Sequence, residues 1–596
     1  MCGFLGKISS SEYDFSQLEN ANIYTICRGP DIKKDTNFFY KNFFHSYVFN
    51  RLSILDLSSK ADQPMANEAR DKLIMFNGEI YNHEELRDYL ISKGCTFLTS
   101  HSDTEVVLNG LSLEGVDFIN KLRGQFSIFF LDKAKNKALL IRDRLGQKPL
   151  YYKLLSDEII FGSNLKSLLK LSGINETISQ DSLNEYIKYG AISSPRTIFN
   201  DINKVSPGCY IEINLKDENI KCIENKYWDL AEKVDNKPFQ LEEFWKIFRD
   251  AVILRLNADV PVANFLSGGI DSSTIVKILN ETNNSLNTFT VTLDNKKYDD
   301  SYWAEIVSEK YNTNHKSVSI SNYLDVENVE KILTLIDEPY ADPSIIPSFV
   351  ISKEISNFYK VAISGDGGDE LLGGYVRTGS VLENKSYFRN LISKIYTLYP
   401  AIFGTGNMLL RNSRDFKLAY KSFLEDNKLL SLLDIEDKDI EDNLILDEKF
   451  GKLKALFLAE YNFYLPEMMM FKVDRTSMAN SLEVRSPFVD HLLVEYVISH
   501  NLDYDSKKTK KILKDYLSND FSSDFINRKK QGFIFDLEKF IYTNFKYIES
   551  RIQKGDLKKY YKLKNIKLLR LRKSRINANR LWKLYVVTLY LDELRN

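Results

Sequence analysis

The stretch PVANFLSGGIDSSTIVKIL, residues 261–279, decides how half of this chain folds. A short apolar run ends at Leu266. Two glycines follow, and then apolar residues return at helical spacing. That order predicts a strand, a tight loop and a helix. Gly268 and Gly269 carry no Cβ, so backbone there can come close to a ligand. The N–H groups after them, with the positive end of the helix dipole, form a site for an anion. The plain alternative is an ordinary strand–turn–helix junction capped by Ser and Asp.

Moving outward, strand and helix patterns alternate. LNTFTVTL (286–293), HKSVSIS (315–321) and YKVAIS (359–364) read as strands. YWAEIVSEKY (302–311), VENVEKILTLI (326–336) and PSFVISKEIS (347–356) read as helices. Such alternation predicts an α/β domain with a parallel sheet covered on both faces. Ligands of such sheets sit at the carboxyl ends of the strands. Both SGGIDSS and a second glycine-rich loop, GDGGDELLGGY (365–375), fall there. Residues 1–210 differ. SYVFNRLSIL, KLIMFNGEI, QFSIFFLD, ALLIRDR, PLYYKLL and EIIFGSN are aromatic and β-branched, with polar turns between them. FSIFFLDKAKNKALLIRD reads as a hairpin. Helices are expected from Asn82, with Glu85 as capping-box partner and a stop at Gly94, and from Ser102, with Glu105 as partner. This is an α+β layered domain. The expected division is 1–210, a linker over 211–239, and 240–596.

With 596 residues, one core does not suffice. Lys plus Arg is 81 and Asp plus Glu is 82, a balance unlike that of a nucleic-acid or membrane-surface binder. The basic stretch 551–575 lacks interleaved aromatic residues and reads as a solvated helical face or subunit contact. Five cysteines without a CxxC pair, and six scattered histidines, give neither a disulfide scaffold nor a zinc site. No apolar run is long enough to cross a membrane, and the first residues do not form a signal peptide. A cytoplasmic location is expected; a homodimer is left open.

Cys2 follows the initiator Met. Removal of that Met would leave a thiol beside its own α-amine, whose pKa of ~7.7–8.0 suits a general base at working pH. After Cys2-Gly3-Phe4-Leu5-Gly6 come Arg28-Gly29-Pro30-Asp31, Asn50-Arg51-Leu52-Ser53-Ile54, Asn77-Gly78-Glu79-Ile80-Tyr81-Asn82 and Ser102-Asp103-Thr104-Glu105. In this order they resemble the class II glutamine amidotransferase domain, an Ntn-type αββα sandwich, over residues 1–210. The resemblance implies that Cys2 attacks the glutamine side-chain amide. Asn77 and the Gly78 N–H would form the oxyanion hole. Arg51 would hold the glutamine carboxylate, and Glu79 and Asp103 its ammonium. Each has a plain alternative: Asn77-Gly78 as a hairpin turn, Arg51 as a surface arginine, Asp103 as a helix cap. One departure is Cys27, where the family usually has histidine.

SGGIDSS itself resembles the pyrophosphate loop of enzymes that cleave ATP between its α and β phosphates. With DEPYADPSIIP, AISGDGGDELLGGYVR, KVDRTSMANSLEVRSPFVD, RKKQGF and Lys510 in KKTKKILK, it is similar to the synthetase domain of the glutamine-hydrolysing asparagine synthetase family. The fold implied is an ATP-pyrophosphatase, or adenine-nucleotide α-hydrolase-like, parallel sheet. Leu266, Val291, Ser364 and Gly365 would contact ATP. Ser267, Gly268, Gly269, Asp271 and Ser272 would cradle pyrophosphate, Asp271 and Asp369 would ligate Mg²⁺, and Lys510 would stabilise charge. Asparagine-making relatives commonly read Ser-Gly-Glu-Gly where this chain has Ser364-Gly365-Asp366-Gly367. Asp366 keeps the charge but is one methylene shorter. The reaction implied is amide synthesis from glutamine, ATP and a carboxylate through an acyl-adenylate. Aspartate leads as acceptor; a sugar uronic acid is the alternative. A non-catalytic nucleotide-binding module would have eroded Cys2, Asn77, Asp271 or Asp369, and all four are present.

Overall fold

The computed structural model describes residues 2–173, 177–217, 219–282, 285–293, 295, 299–383, 394–396, 398–411, 416–436, 446–528 and 535–594. Residues 529–533 of RKKQGF, and part of 380–450, lie outside them. The N-terminal half stacks two antiparallel six-stranded sheets. One runs, in spatial order, Asn203–Lys204, Tyr151–Leu154, Glu158–Gly162, Gly3–Ser9, Phe43–Arg51, Ile32–Tyr40. The other runs Lys221–Lys226, Cys209–Asn214, Lys137–Arg142, Gly124–Asp132, Lys72–Ile80, Met65–Ala66.

Strand alternation explains the layering. Phe4 and Ile8 enter the core shared with Met75 and Phe129 of the facing sheet, whereas Leu5 turns outward onto helices Phe15–Ala21 and Leu165–Ser172. On the other sheet, Leu73 and Met75 point inward and Ile74 and Phe76 meet Leu86, Leu90, Val106 and Val107 of two helices. The result is the expected αββα sandwich. The hairpin over 124–142 is present, Asp132 pairing with Lys137. Strand pairing carries this half on to Lys226, into the stretch read as linker, because Cys209–Asn214 pairs with Lys137–Arg142.

The two helix starts fall at Asn82 and Ser102 as expected, but neither capping box forms. Asn82 instead accepts from the Arg123 N–H (2.9 Å) and donates to the Lys121 carbonyl (3.0 Å). Glu105 accepts from the N–H groups of Leu98 and Thr99, both at 2.7 Å. Tertiary partners outcompete the local ones.

The second half holds a five-stranded parallel sheet in the order Asn314–Ser319, Asn287–Thr292, Val262–Phe265, Val361–Ile363, Glu483–Arg485. Numbered along the chain this is 3-2-1-4-5. The strand order reverses between Val262–Phe265 and Val361–Ile363, the two strands that feed the glycine-rich loops. A ligand crevice opens at such a switch point. Helices cover both faces: Ile275, Val276 and Val307 on one side, Ile345, Phe349 and Val350 on the other. The basic stretch buries Leu557, Leu563, Ile566 and Leu569 against helix Arg575–Glu593, so its cations line a packed layer. Among the described residues no helix is long and apolar enough to cross a membrane.

Candidate active sites and the seam between them

Cys2 leads into the central strand Gly3–Ser9 and is buried. Its nitrogen donates to Asn77 Oδ1 at 3.0 Å, and Asn77 Nδ2 donates to Ser127 Oγ at 3.2 Å. Burial pushes the Cys2 thiol up, while nearby positive charge, Arg51 included, pulls it back. Asn77-Gly78 is not a hairpin turn. It lies within strand Lys72–Ile80, paired with Ser127 and Phe126. A Cβ at Gly78 would stand 2.0 Å from the Gln125 carbonyl oxygen, so no other residue fits.

Arg51 is buried, not on the surface. The loop after it wraps its guanidinium, which pairs with Asp62 (2.7 Å) and donates to the carbonyls of Ser58 (3.0 Å), Leu55 (3.3 Å) and Asp56. Most of its donors are thus already engaged. Asp103 accepts from the Ile80 N–H at 3.1 Å and stands beside Glu79. Burial, and the mutual repulsion of these carboxyls, raise Glu79 well above the usual range; burial raises Asp103 too. Glu79 Oε1 is buried without a hydrogen-bond partner. An ammonium group would supply a donor to Glu79 Oε1.

At the switch point, Ser267 Oγ accepts from the Gly269 N–H and lies 3.2 Å from Ser272 Oγ. Gly268 has φ +67°, and a Cβ there would come within 2.5 Å of the Trp303–Ala304 backbone. The second loop rests on the first: a Cβ on Gly368 would meet the Asp271 carboxyl at 2.8 Å. Leu266 and Val291 are packed into apolar clusters. Ser364 Oγ is buried with no partner, an orphan polar atom in the crevice. A Cβ on Gly365 would stand 3.1 Å from Asp271 and from the Ser272 nitrogen, and Asp366 accepts at its carbonyl from Ser486 Oγ.

Lys510 sits in the left-handed region (φ +57°), unusual for a residue with a side chain. Its buried Nζ contacts both Asp271 and Asp369, the latter at 2.5 Å. Burial would lower this lysine, but the two aspartates overrule it and hold it charged. Gly374 completes the packing, since a Cβ would fall 2.3 Å from Lys510 Cε. Two aspartate carboxylates close enough to share one ammonium are a hard-oxygen pair that suits Mg²⁺, which takes its other ligands from phosphate and water. Among the described residues no group of three or more acids, histidines or cysteines gathers as a full cage.

The halves meet along a buried, charged seam. Arg28 forks onto Asp474 (2.9 and 3.0 Å), and its Nε donates to the Cys2 carbonyl at 3.2 Å. Arg123 and Arg255 share Asp490 at 2.9 and 2.6 Å. Lys204 lies 3.2 Å from both Glu338 and Glu467. Arg485 stands between Glu79 of the first half and Glu483 of the second, at 3.1 and 2.6 Å. A small cavity of about 10 Å³ lies on this seam, lined by Arg142, Tyr151, Lys204, Glu338, Glu467 and Arg475 among others. Sequence reading quoted Arg28 and Arg485 within motifs and gave neither a role. Arg528, which opens the quoted RKKQGF and was likewise given no role, donates to the Gly268 carbonyl (2.6 Å) and pairs with Asp300 (3.0 Å).

Comparison with known families matches residues 243–592 to asparagine synthase and residues 1–228 to a glutamine amidotransferase domain. The chain belongs to the asparagine synthase family. Among family members, asparagine synthetase [glutamine-hydrolyzing] 1 of Bacillus subtilis (strain 168) is 30% identical over 561 residues, covering 89% of this chain and 87% of that protein. The same organism's asparagine synthetases 2 and 3 are 30% and 29% identical, covering 90% and 89% of this chain and 72% and 87% of theirs.

Proposed function

We propose that this asparagine synthase family member is an ATP-dependent, glutamine-hydrolysing amide synthetase whose acceptor is L-aspartate. The observation that carries the reading is the seam: the Cys2–Asn77 contact and the paired glycine loops belong to two halves of the chain joined by buried ion pairs.

Once the initiator Met is removed, the Cys2 nitrogen is a free amine oriented by Asn77 Oδ1. It takes the thiol proton, directly or through water, and Sγ attacks the glutamine amide carbon. Asn77 Nδ2 and the Gly78 N–H are the candidate donors to the oxyanion that then develops. Ammonia leaves, and water releases glutamate from the thioester. Glu79 and Asp103 receive the substrate ammonium; Arg51, held by its own loop, offers positive charge to the carboxylate.

In the second half, a carboxylate oxygen of the acceptor attacks the α-phosphorus of ATP and pyrophosphate departs. The N–H groups after Ser267 face the leaving phosphates. Bound at Asp271 and Asp369, Mg²⁺ would offset triphosphate charge. Lys510 is then free to follow charge toward the phosphates. Ammonia attacks the acyl carbon and AMP departs, a far better leaving group than hydroxide. Transfer inside the protein keeps ammonia unprotonated.

The test is mass spectrometry of products from glutamine, ATP, Mg²⁺ and a panel of carboxylates. Asparagine with one AMP per amide is the expected result. An amide formed only from a uronic acid would replace aspartate as the acceptor, and Asp366, shorter than the family's glutamate, makes that arm necessary. No AMP with any acceptor rejects the reading.

A further inference from the structure

Arg485 occupies a position that the proposed chemistry leaves unused. It is fully buried and is the last residue of strand Glu483–Arg485, at the edge of the parallel sheet. Its Nε donates to Glu483 (2.6 Å), and Nη1 donates to the carbonyls of Arg255 (3.1 Å) and Asn257 (2.6 Å). Nη2 has only an ion-pair approach to Glu79 at 3.1 Å, without hydrogen-bond geometry. That contact is made by Glu79 Oε2; the other oxygen, Oε1, is buried and without a hydrogen bond. Two buried, incompletely satisfied groups thus face each other across the seam. Such an arrangement is costly unless something completes it.

The backbone of the same residue serves the other site. The Arg485 carbonyl accepts from the Ser364 N–H at 3.0 Å, and its neighbour Ser486 donates to the Asp366 carbonyl. The loop so held, 364–368, lies against Asp271 and Ser272. One residue therefore touches the acid offered to the glutamine ammonium and fixes the loop offered to the nucleotide. Its side chain and main chain belong to the same short strand, so a change in the pull on one is felt by the other. When an ammonium reaches Glu79, the attraction between Glu79 and Arg485 weakens and the guanidinium is left to Glu483. Occupancy on one side is thereby felt on the other.

We infer that Arg485 is a positioning residue that couples occupancy of the glutamine site to the nucleotide loop. This rests on the amide-synthetase reading above. By reciprocity, ATP must also tighten glutamine binding by the factor with which glutamine tightens ATP. The experiment follows glutamine hydrolysis in the full-length enzyme, with and without ATP and acceptor. It also records the glutamate-to-AMP ratio and ammonia-dependent AMP formation.

In the unaltered chain, ATP with acceptor should lower the glutamine KM by about 5-fold or more. Arg485→Lys should reduce that shift to less than about 2-fold and raise the glutamate-to-AMP ratio. Hydrolytic kcat and ammonia-dependent AMP formation should change little. Glu483→Gln, which removes the carboxylate that accepts from Nε, should give an intermediate shift. A folded Arg485→Lys protein with the full KM shift and unaltered ratio overturns the inference, as does an unaltered enzyme with no shift. If Arg485→Lys melts before assay, Ser486→Ala decides: it frees the loop and keeps the arginine, and a full KM shift there overturns the inference. Failure of the underlying reading looks different, since it gives no AMP even with ammonia.

Discussion

The two candidate sites are built by opposite means. Around Cys2, strand register does the work. Gly3 pairs with Asn50 and Asn77 with Ser127, so neighbouring sheets fix each functional atom before any substrate arrives. Around Asp271, loops do the work. The groups there are held by charge, with Lys510 between two aspartates, and by glycines that leave no room for side chains. At the first site one cation, Arg485, already reaches Glu79; at the second, Lys510 sits between the aspartates and must move to admit a nucleotide. A site set by hydrogen-bonded strands suits covalent chemistry at one atom, whereas a site set by ion pairs suits a highly charged, exchangeable ligand.

The sharpest way to break this comparison is to remove one site's chemistry and watch the other. Cys2→Ala should lower glutamine-dependent amide formation on the order of 10⁴-fold or more while ammonium salts still support synthesis. Loss of both activities in a folded protein would contradict two separable sites. Asp271→Ala should do the reverse, cutting pyrophosphate release by about 10³-fold and sparing glutamate production. Next comes the seam. Arg28→Met leaves the buried Asp474 without its forked partner and should cost about 3–5 kcal/mol of stability, read from urea unfolding. An unchanged midpoint would mean that the pair is not a structural tie. Asn77→Ala should lower glutaminase kcat by about 10²-fold with a small change in KM. A KM effect alone would assign Asn77 to ground-state binding.

The smallest effect concerns pH. Burial holds His45 and His491 down at about 3, against about 6.5 for an unfolded histidine. Between those values the unfolded chain binds the proton and the folded one does not. Stability should therefore fall as pH drops from about 6.5 toward 3, by up to ~1.4 kcal/mol per pH unit for each histidine. Asp474 and Asp490 add to this at lower pH. Burial opposes their charge, but Arg28 and Lys148 around one, and Arg255 and Arg123 around the other, hold both well below the carboxylate range. Their contribution is present above about pH 4 and is lost as pH falls further. Urea midpoints measured from pH 7 to pH 4 should decline, and His45→Gln should flatten the slope.

Much of the architecture was legible because its signals are local. Strand alternation around Phe4, Leu5 and Ile8, the glycines at the ends of two strands, and the 3.6-residue pattern after Ser273 each report on their own neighbourhood. Cys2, Asn77, Glu79 and Asp103 could be gathered from sequence only through resemblance, and the fold brings them to one corner. What stayed hidden depends on distant partners. Nothing beside Glu105 announces that a capping acid will serve another loop. Strand Glu483–Arg485 has three residues and no alternation to betray it. Arg485 itself is legible only once Glu79, some 400 positions away, is beside it.

The charged seam has an evolutionary corollary. A fragment cut off near residue 226 would carry Arg28, Arg123 and Lys204 with their acids left behind, and in the remainder Glu467 would lose Lys204 while Asp474 and Asp490 would keep only Arg475 and Arg255. Neither piece is a free-standing cassette. A chimera that grafts another glutaminase onto this synthetase should fail to assemble unless these oppositely charged residues are transplanted as matched sets, which ties the inheritance of one half to that of the other.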